Sequence, residues 1–214
     1  MEEPVLRLEK WAMGAESTIF KTEQWGYPIV LKWRPQKPYL LKDIDELLKK
    51  TRTNRECKML THARALGVST PTVHWTDLEN YTIAMDFIEG RQLKQLASTL
   101  PESRLREICF EFGQSVARMH RGNVVHGDPT TSNVLIDTKS RLWMVDFGLA
   151  EWNATTEMKG VDLHLIRRAL ETTHWDQQEV MLTATLEGYV NLLGSEAEPA
   201  LSRMDVIRER GRYH

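Results

Sequence analysis

Residues 126 to 133 of this chain read His-Gly-Asp-Pro-Thr-Thr-Ser-Asn, and thirteen residues past Asn133 stands Asp146-Phe147-Gly148. Two carboxylates and a carboxamide around a short apolar run suit the handling of nucleotide phosphates. Phosphoryl transfer asks one carboxylate to accept or orient an attacking hydroxyl, and a carboxylate with an amide oxygen to hold Mg²⁺. Asp128 suits the first task; Asn133 and Asp146 suit the second.

The elements that must position these groups can be read from periodicity. Three β-like runs, Val5–Ala12, Thr18–Gln24 and Pro28–Arg34, are parted by Met13-Gly14-Ala15-Glu16-Ser17 and Trp25-Gly26-Tyr27. A long helix is predicted over Asp43–Leu66, with Ile44, Leu47, Leu48, Met59, Leu60 and Ala63 at helical spacing and Gly67 as its stop. Thr72–Leu78 and Tyr81–Ile88 form a further hairpin. Beyond Gly90 the chain is mainly helical: Glu102–Arg121, then two short strands, Val134–Asp137 and Leu142–Val145, then helices over Lys159–Thr173, Gln177–Leu193 and Glu196–Arg208. The expected architecture is α+β, with a β-rich lobe over residues 1–88 and a helical lobe over 89–214.

Further residues carry candidate chemistry. Lys32 ends an apolar strand, Ile29-Val30-Leu31-Lys32, where an amine contacts α- and β-phosphates if a helix carboxylate holds it. Glu56 is the best candidate for that carboxylate and Glu46 the fallback; an ordinary solvent-facing lysine is the plain alternative. Taken alone, Met13-Gly14-Ala15-Glu16 is a hairpin turn; ahead of Lys32 it becomes a cover for phosphates, although one glycine offers less backbone freedom than a glycine-rich loop. Met85, Asp86 and Ile88 join the lobes, where an adenine ring would meet an apolar strand end and bond to main chain. His126 is read as structural, bonding near the metal turn, and Asp162 as a helix cap or anchor. Seven tryptophans, mostly on predicted strands, imply core or lobe-edge packing. The ending with Arg208, Arg210 and Arg212 is either a solvated basic tail or a phosphate-binding one.

Bulk properties exclude several classes. With 28 basic and 30 acidic residues the net charge is −2, so no global field draws DNA, RNA or a membrane surface. Cys57 and Cys109 lie far apart in helical patterns, as reduced structural thiols do. No apolar run reaches the length of a membrane span, and the start has no signal-peptide pattern. The expectation is a soluble intracellular protein.

Taken together, the chain resembles the small atypical serine/threonine kinase of the KEOPS (EKC) complex, the PRPK-type family related to the RIO kinases. The order His-x-Asp-x-x-x-x-Asn followed by Asp-Phe-Gly is that of a protein-kinase catalytic loop and metal turn. The marks include Gly14-Ala15-Glu16, Lys32 followed by Lys37-Pro38-Tyr39, and Arg52-Thr53 before Glu56. They continue with His126-Gly127-Asp128, Thr130-Thr131-Ser132-Asn133, Lys159-Gly160-Val161-Asp162-Leu163 and the ending Arg208-Glu209-Arg210-Gly211-Arg212. The resemblance implies a minimal bilobal kinase that binds ATP with Mg²⁺ or Mn²⁺, autophosphorylates, and acts as an ATPase supporting threonylcarbamoyladenosine formation at tRNA position 37. It also implies a sugar-kinase-like threonylcarbamoyl transferase subunit docked on the C-lobe, a small regulator on the N-lobe, tRNA reached through the complex, and a cytoplasmic location (nuclear too in a eukaryote). For the tail it favours a partner or tRNA role. Two positions depart from the pattern: Pro129 replaces a usual leucine and biases Asp128 toward extended backbone, and Ser17 replaces a small alanine. The other readings are an aminoglycoside-type small-molecule phosphotransferase and a kinase-like scaffold.

Overall fold

Alternation along the first strands builds a five-stranded antiparallel sheet in the order β1-β2-β3-β5-β4. The computed structural model describes residues 8–14 and 16–210. Its strands are β1 (Glu9–Met13), β2 (Thr18–Gln24), β3 (Tyr27–Trp33), β4 (Val73–Asp77) and β5 (Thr82–Asp86). The start of the first predicted strand, Val5–Arg7, lies outside the described residues. The β2–β3 turn is Trp25-Gly26, both at positive φ (52° and 79°), the backbone twist that suits a two-residue hairpin. Val30 pairs with Met85 and Lys32 with Ile83, so Val30 and Lys32 share one face of β3 while Ile29 and Leu31 share the other.

Between β3 and β4 runs α1 (Lys42–Ala65). Its apolar residues do not act as one stripe. Met59, Leu60 and Ala63 enter the core against Val30, Ile83 and Met85. Ile44, Leu47 and Leu48 are instead exposed, because the inward face of the first half is polar: Asp45, Lys49, Thr53 and Glu56 are buried there. Asp45 and Lys49 pair at 2.7 Å, and the Lys49 ammonium sits 4.3 Å from the Tyr81 ring centroid, so these buried charges are compensated.

The second lobe opens with β6 (Gly90–Gln92), a short helix α2 (Leu93–Leu96) and α3 (Glu102–Arg121). Four short strands follow: β7 (Val124–Val125), β8 (Val134–Asp137), β9 (Leu142–Met144) and β10 (Glu151–Trp152). Helices α4 (Thr156–Thr173), α5 (Gln178–Leu193) and α6 (Glu198–Arg210) complete it. The fold class is the expected α+β, a sheet-rich lobe and a mainly helical one. Strands β6, β7 and β10 are too short for periodicity to reveal. Helix α4 begins three residues before the predicted start because Thr155 caps it, its hydroxyl accepting from the Met158 N–H at 3.3 Å.

Helices α3 and α5 cross backbone to backbone. A Cβ on Gly113 would lie 1.9 Å from the Thr185 carbonyl oxygen, and one on Gly188 would lie 2.0 Å from that of Phe110. Around this crossing Leu105, Ile108, Phe112, Val116 and Met119 are buried, each contributing about 1.5–3 kcal/mol. Trp75 packs against the small buried cluster of Ile29, Leu31 and Ala84, but no tryptophan is fully buried, so core packing holds less widely than the strands suggested. Trp11, Trp25, Trp33, Trp152 and Trp175 are exposed, and Trp75 and Trp143 are half-buried. The lobe-edge alternative holds for Trp11, which meets Phe87 edge-on at 5.2 Å. Both cysteines are free thiols, and burial pushes Cys109 up to about 12, so it stays protonated. Among the described residues no helix is long and apolar enough to cross a membrane.

Candidate active site

The β8–β9 hairpin sets two of the sequence-identified residues side by side. Asn133 enters β8 and Asp146 leaves β9, and the Val145 N–H donates to the Asn133 carbonyl at 3.0 Å. The Asn133 amide donates through Nδ2 to the Asp128 carboxylate and to the Asp128 carbonyl, both at 2.9 Å. That double bond steers the Asp128 side chain and leaves Asn133 Oδ1 as an acceptor. Pro129 is buried behind a trans peptide, and the turn continues with Thr130 N–H donating to the Asp128 carbonyl at 2.8 Å.

The loop carrying Asp128 is held from below by Asp162. One carboxylate oxygen accepts from the His126 N–H at 2.7 Å and the other from the Gly127 N–H at 2.9 Å. His120 Nε2 lies 3.3 Å from the first, and His120 Nδ1 meets the Tyr189 hydroxyl at 2.9 Å. Asp162 therefore anchors the 126–128 loop from within α4, whereas the sequence suggested that it caps or anchors the helix itself. Gly127 is required: its φ is +81°, and a Cβ would sit 2.3 Å from the Leu149 carbonyl oxygen.

His126 is fully buried and packs against Phe147 with ring centroids 4.6 Å apart and the planes tilted by 50°. Its Nδ1 accepts from the Asp128 N–H and its Nε2 reaches the Val145 carbonyl, both at 3.3 Å. Burial lowers its proton affinity, outweighing the nearby carboxylates Asp162, Asp146 and Asp128. A neutral ring tying the loop to the strand before Asp146 agrees with the structural role read from sequence. Asp146 adopts φ +63°, a left-handed conformation that aspartate tolerates, and buried Phe147 follows it.

Lys32 Nζ lies 2.6 Å from Glu56 Oε1 and 2.7 Å from Asp146 Oδ1, a bridge between β3, α1 and the turn after β9. Burial opposes the charge on Lys32, but Glu56 and Asp146 together raise its pKa, so the amine stays protonated. Burial likewise opposes the charge on Asp146, yet Lys32 holds that carboxyl below its ordinary value. Glu46, the fallback partner, is remote from this cluster and pairs with Lys42 at 3.9 Å. Sequence reasoning missed Arg34: it binds the second oxygen of Glu56 and donates to the Thr53 hydroxyl at 3.3 Å. Its position two residues past Lys32, at the end of the predicted run Pro28–Arg34, was the available signal.

A cavity of about 360 Å³ opens between the lobes. Its apolar walls come from Ile19, Val30, Pro71, Leu135 and Val145, none of which the motifs pointed to, with Met85 at the back and Trp11 at the mouth. Met13, Gly14, Lys32, Glu56, Asp86, Ile88, Asn133 and Asp146 also line it. The Asp86 carboxylate is spent on the Thr72 N–H and His74, each at 2.9 Å, and the Asp86 and Phe87 N–H groups on the Thr72 and Pro28 carbonyls at 3.0 and 3.2 Å. A second cavity of about 300 Å³ shares Gly14, Ser17, Lys32 and Asp146 with the first and adds Glu16, Arg34, Asp128 and Gly148. Glu16 is tied to Arg52 of α1 and lies 3.7 Å from Lys37. Ala15 and Arg212 lie outside the described residues; Arg208 and Arg210 end α6 and line neither cavity.

The donor set suits a hard divalent cation: one carboxylate and one amide oxygen beside a polar cavity. Among the described residues no three His, Cys, Asp or Glu side chains cluster as a metal cage. Mg²⁺ bound through one or two protein groups plus phosphate oxygens needs no such cage.

Comparison with known proteins agrees with this geometry. The family model described as protein kinase domain matches residues 31–181. The chain is 38% identical over 207 residues to KEOPS complex subunit Bud32 of Pyrococcus abyssi, covering 94% of each chain. It is 34% identical to probable bifunctional tRNA threonylcarbamoyladenosine biosynthesis proteins of Methanobrevibacter smithii and Methanosarcina acetivorans. Those matches cover 94% and 96% of this chain but 36% of each relative, so the chain spans about a third of their length.

Proposed function

The chain belongs to the protein kinase family, in its small KEOPS-subunit Bud32 branch, and from that premise we propose that it is an ATP-dependent serine/threonine kinase and ATPase. Its work is the support of threonylcarbamoyladenosine formation on tRNA within a KEOPS-type complex. The observation that carries this reading is the Lys32 bridge to Glu56 and Asp146, at 2.6 and 2.7 Å, with Lys32 and Asp146 lining both cavities.

In this reading the adenine lies between Val30 and Leu135 and bonds to main chain at Asp86–Ile88. The Met13–Ser17 loop covers the phosphates with its backbone; the Glu16 side chain, tied to Arg52, contributes no cation there. Lys32, steadied by Glu56, contacts the α- and β-phosphates. Asn133 Oδ1 and the Asp146 carboxylate would hold Mg²⁺ or Mn²⁺, which supplies charge neutralisation at the phosphates. Asp128, steered by the Asn133 amide, orients the attacking hydroxyl or water. His126, neutral and buried, keeps the loop in register and takes no proton.

The names of the relatives support the setting. The P. abyssi relative is named as a KEOPS subunit, and the longer ones as bifunctional proteins of threonylcarbamoyladenosine biosynthesis. The partners we infer are a sugar-kinase-like transferase subunit against the C-lobe, a small regulator on the N-lobe, and tRNA reached through the complex and the Arg208–Arg212 end. The proposed location is the cytoplasm. Copurification from native extract tests this: a sugar-kinase-like partner is the expected result. Its absence would return the chain to the small-molecule phosphotransferase reading.

A further inference from the structure

The inner face of β3 continues past Lys32. The Arg34 N–H donates to the Tyr81 carbonyl at 3.2 Å, which keeps the backbone extended and returns the Arg34 side chain to the same side as Val30 and Lys32. Arg34 is only 3% exposed. Its guanidinium takes one oxygen of Glu56 while Lys32 takes the other. It also lines the second cavity beside Lys32, Asp128 and Asp146. It also reaches the turn after Asp146, where a Cβ on Gly148 would be in ordinary contact with Arg34 Nη2 at 3.4 Å.

Charge decides what this arrangement does. Without Arg34, one lysine would face two carboxylates, Glu56 and Asp146, and the cluster would carry a net −1. With Arg34 the same four groups sum to zero. A nucleotide triphosphate is strongly anionic, so a unit of wall charge within a few ångströms acts directly on its affinity. We propose that Arg34 is a second fixed cation of the phosphate site, cancelling Glu56 so that Lys32 meets the phosphates with its charge undiminished. This deepens the phosphotransfer reading and rests on it.

The test compares ATP with adenosine, which has the same base and sugar but no phosphate. Dissociation constants are measured by calorimetry on the full chain for the wild type, Arg34→Met, Arg34→Lys, Glu56→Gln and the Arg34→Met/Glu56→Gln pair. Arg34→Met is expected to weaken ATP about tenfold and leave adenosine unchanged, and Arg34→Lys to recover most of the loss. In the Glu56→Gln background, which also serves if Arg34→Met alone does not fold, the same substitution again costs ATP about tenfold. If Arg34 merely holds Glu56 in place, its loss has no effect once Glu56 is Gln, and that result overturns the proposal. Equal weakening of ATP and adenosine, or unchanged ATP affinity, overturns it too. A wild-type protein that binds no ATP removes the phosphotransfer reading as well, whatever the variants do.

Discussion

Replacing Asp162 with alanine isolates the part that motifs describe least well, the support under the loop that carries Asp128. In the native protein this buried carboxylate accepts from the His126 and Gly127 N–H groups at 2.7 and 2.9 Å and faces His120 at 3.3 Å. Hydrogen bonds to a charged acceptor contribute about 1.5–3 kcal/mol each, and the orphaned donors would stay buried. Losing both should cost about 3–5 kcal/mol, within the range for breaking a buried charged network. For a chain of this size, where 1 kcal/mol shifts the midpoint by about 2–4 °C, the melting temperature should drop by roughly 6–20 °C. ATP turnover below that temperature should fall further than stability explains, because Asp128 follows Gly127 directly and small misplacements of a reacting group cost about a hundredfold. Asp162→Asn keeps one acceptor oxygen and should fall between. Thermal unfolding by circular dichroism and coupled-assay turnover measure both effects. An alanine variant within 1 kcal/mol of wild type, with unchanged turnover, would refute the anchoring role.

Two further outcomes are expected. Burial lowers the pKa of His126, His164 and His174 below the ordinary histidine value; the unfolded chain therefore binds protons that the native state refuses. Stability should be complete above about pH 6.5 and decline as pH falls below it, by up to about 1.4 kcal/mol per pH unit for the fully buried His126 and by less for the two better-screened histidines. Urea unfolding at descending pH checks this, and a level or rising profile contradicts it. Deleting residues 211–214 should weaken tRNA-stimulated ATP hydrolysis or partner binding more than basal nucleotide binding; an unchanged tRNA response would make the tail a solvated end.

The spacing of Asp128, Asn133 and Asp146 was legible because phosphoryl transfer constrains residue type and separation together. The strands flanking them and the long helices were legible because a single buried face leaves a clear period. Helix α1 shows where that logic stops. Its inward face is apolar around Met59 and polar around Asp45, Lys49 and Thr53, so a stripe of Ile44, Leu47 and Leu48 points to solvent. Arg34, and the loop-holding role of Asp162, were not legible for a related reason. Each gains its role from partners distant in the chain, Glu56 for one and the 126–127 backbone for the other. The tryptophans misled because large apolar side chains on short strands at a lobe edge have an outer face to occupy as well as an inner one.

The site organised by the Lys32–Glu56–Asp146 bridge is proposed to turn over ATP with a divalent metal. Asp146→Ala leaves Lys32 its Glu56 partner and removes a half-exposed carboxylate, with 51% of the side chain accessible, so the fold should survive. ATP hydrolysis by the purified protein is to be measured with its copurified partner and tRNA present, with and without Mg²⁺. The predicted result is loss of metal-dependent turnover with an intact circular dichroism spectrum and a cooperative melting transition lowered by about 2–4 °C, since alanine tolerates the left-handed backbone at 146 less well than aspartate. Turnover that persists in the folded variant would contradict the site assignment.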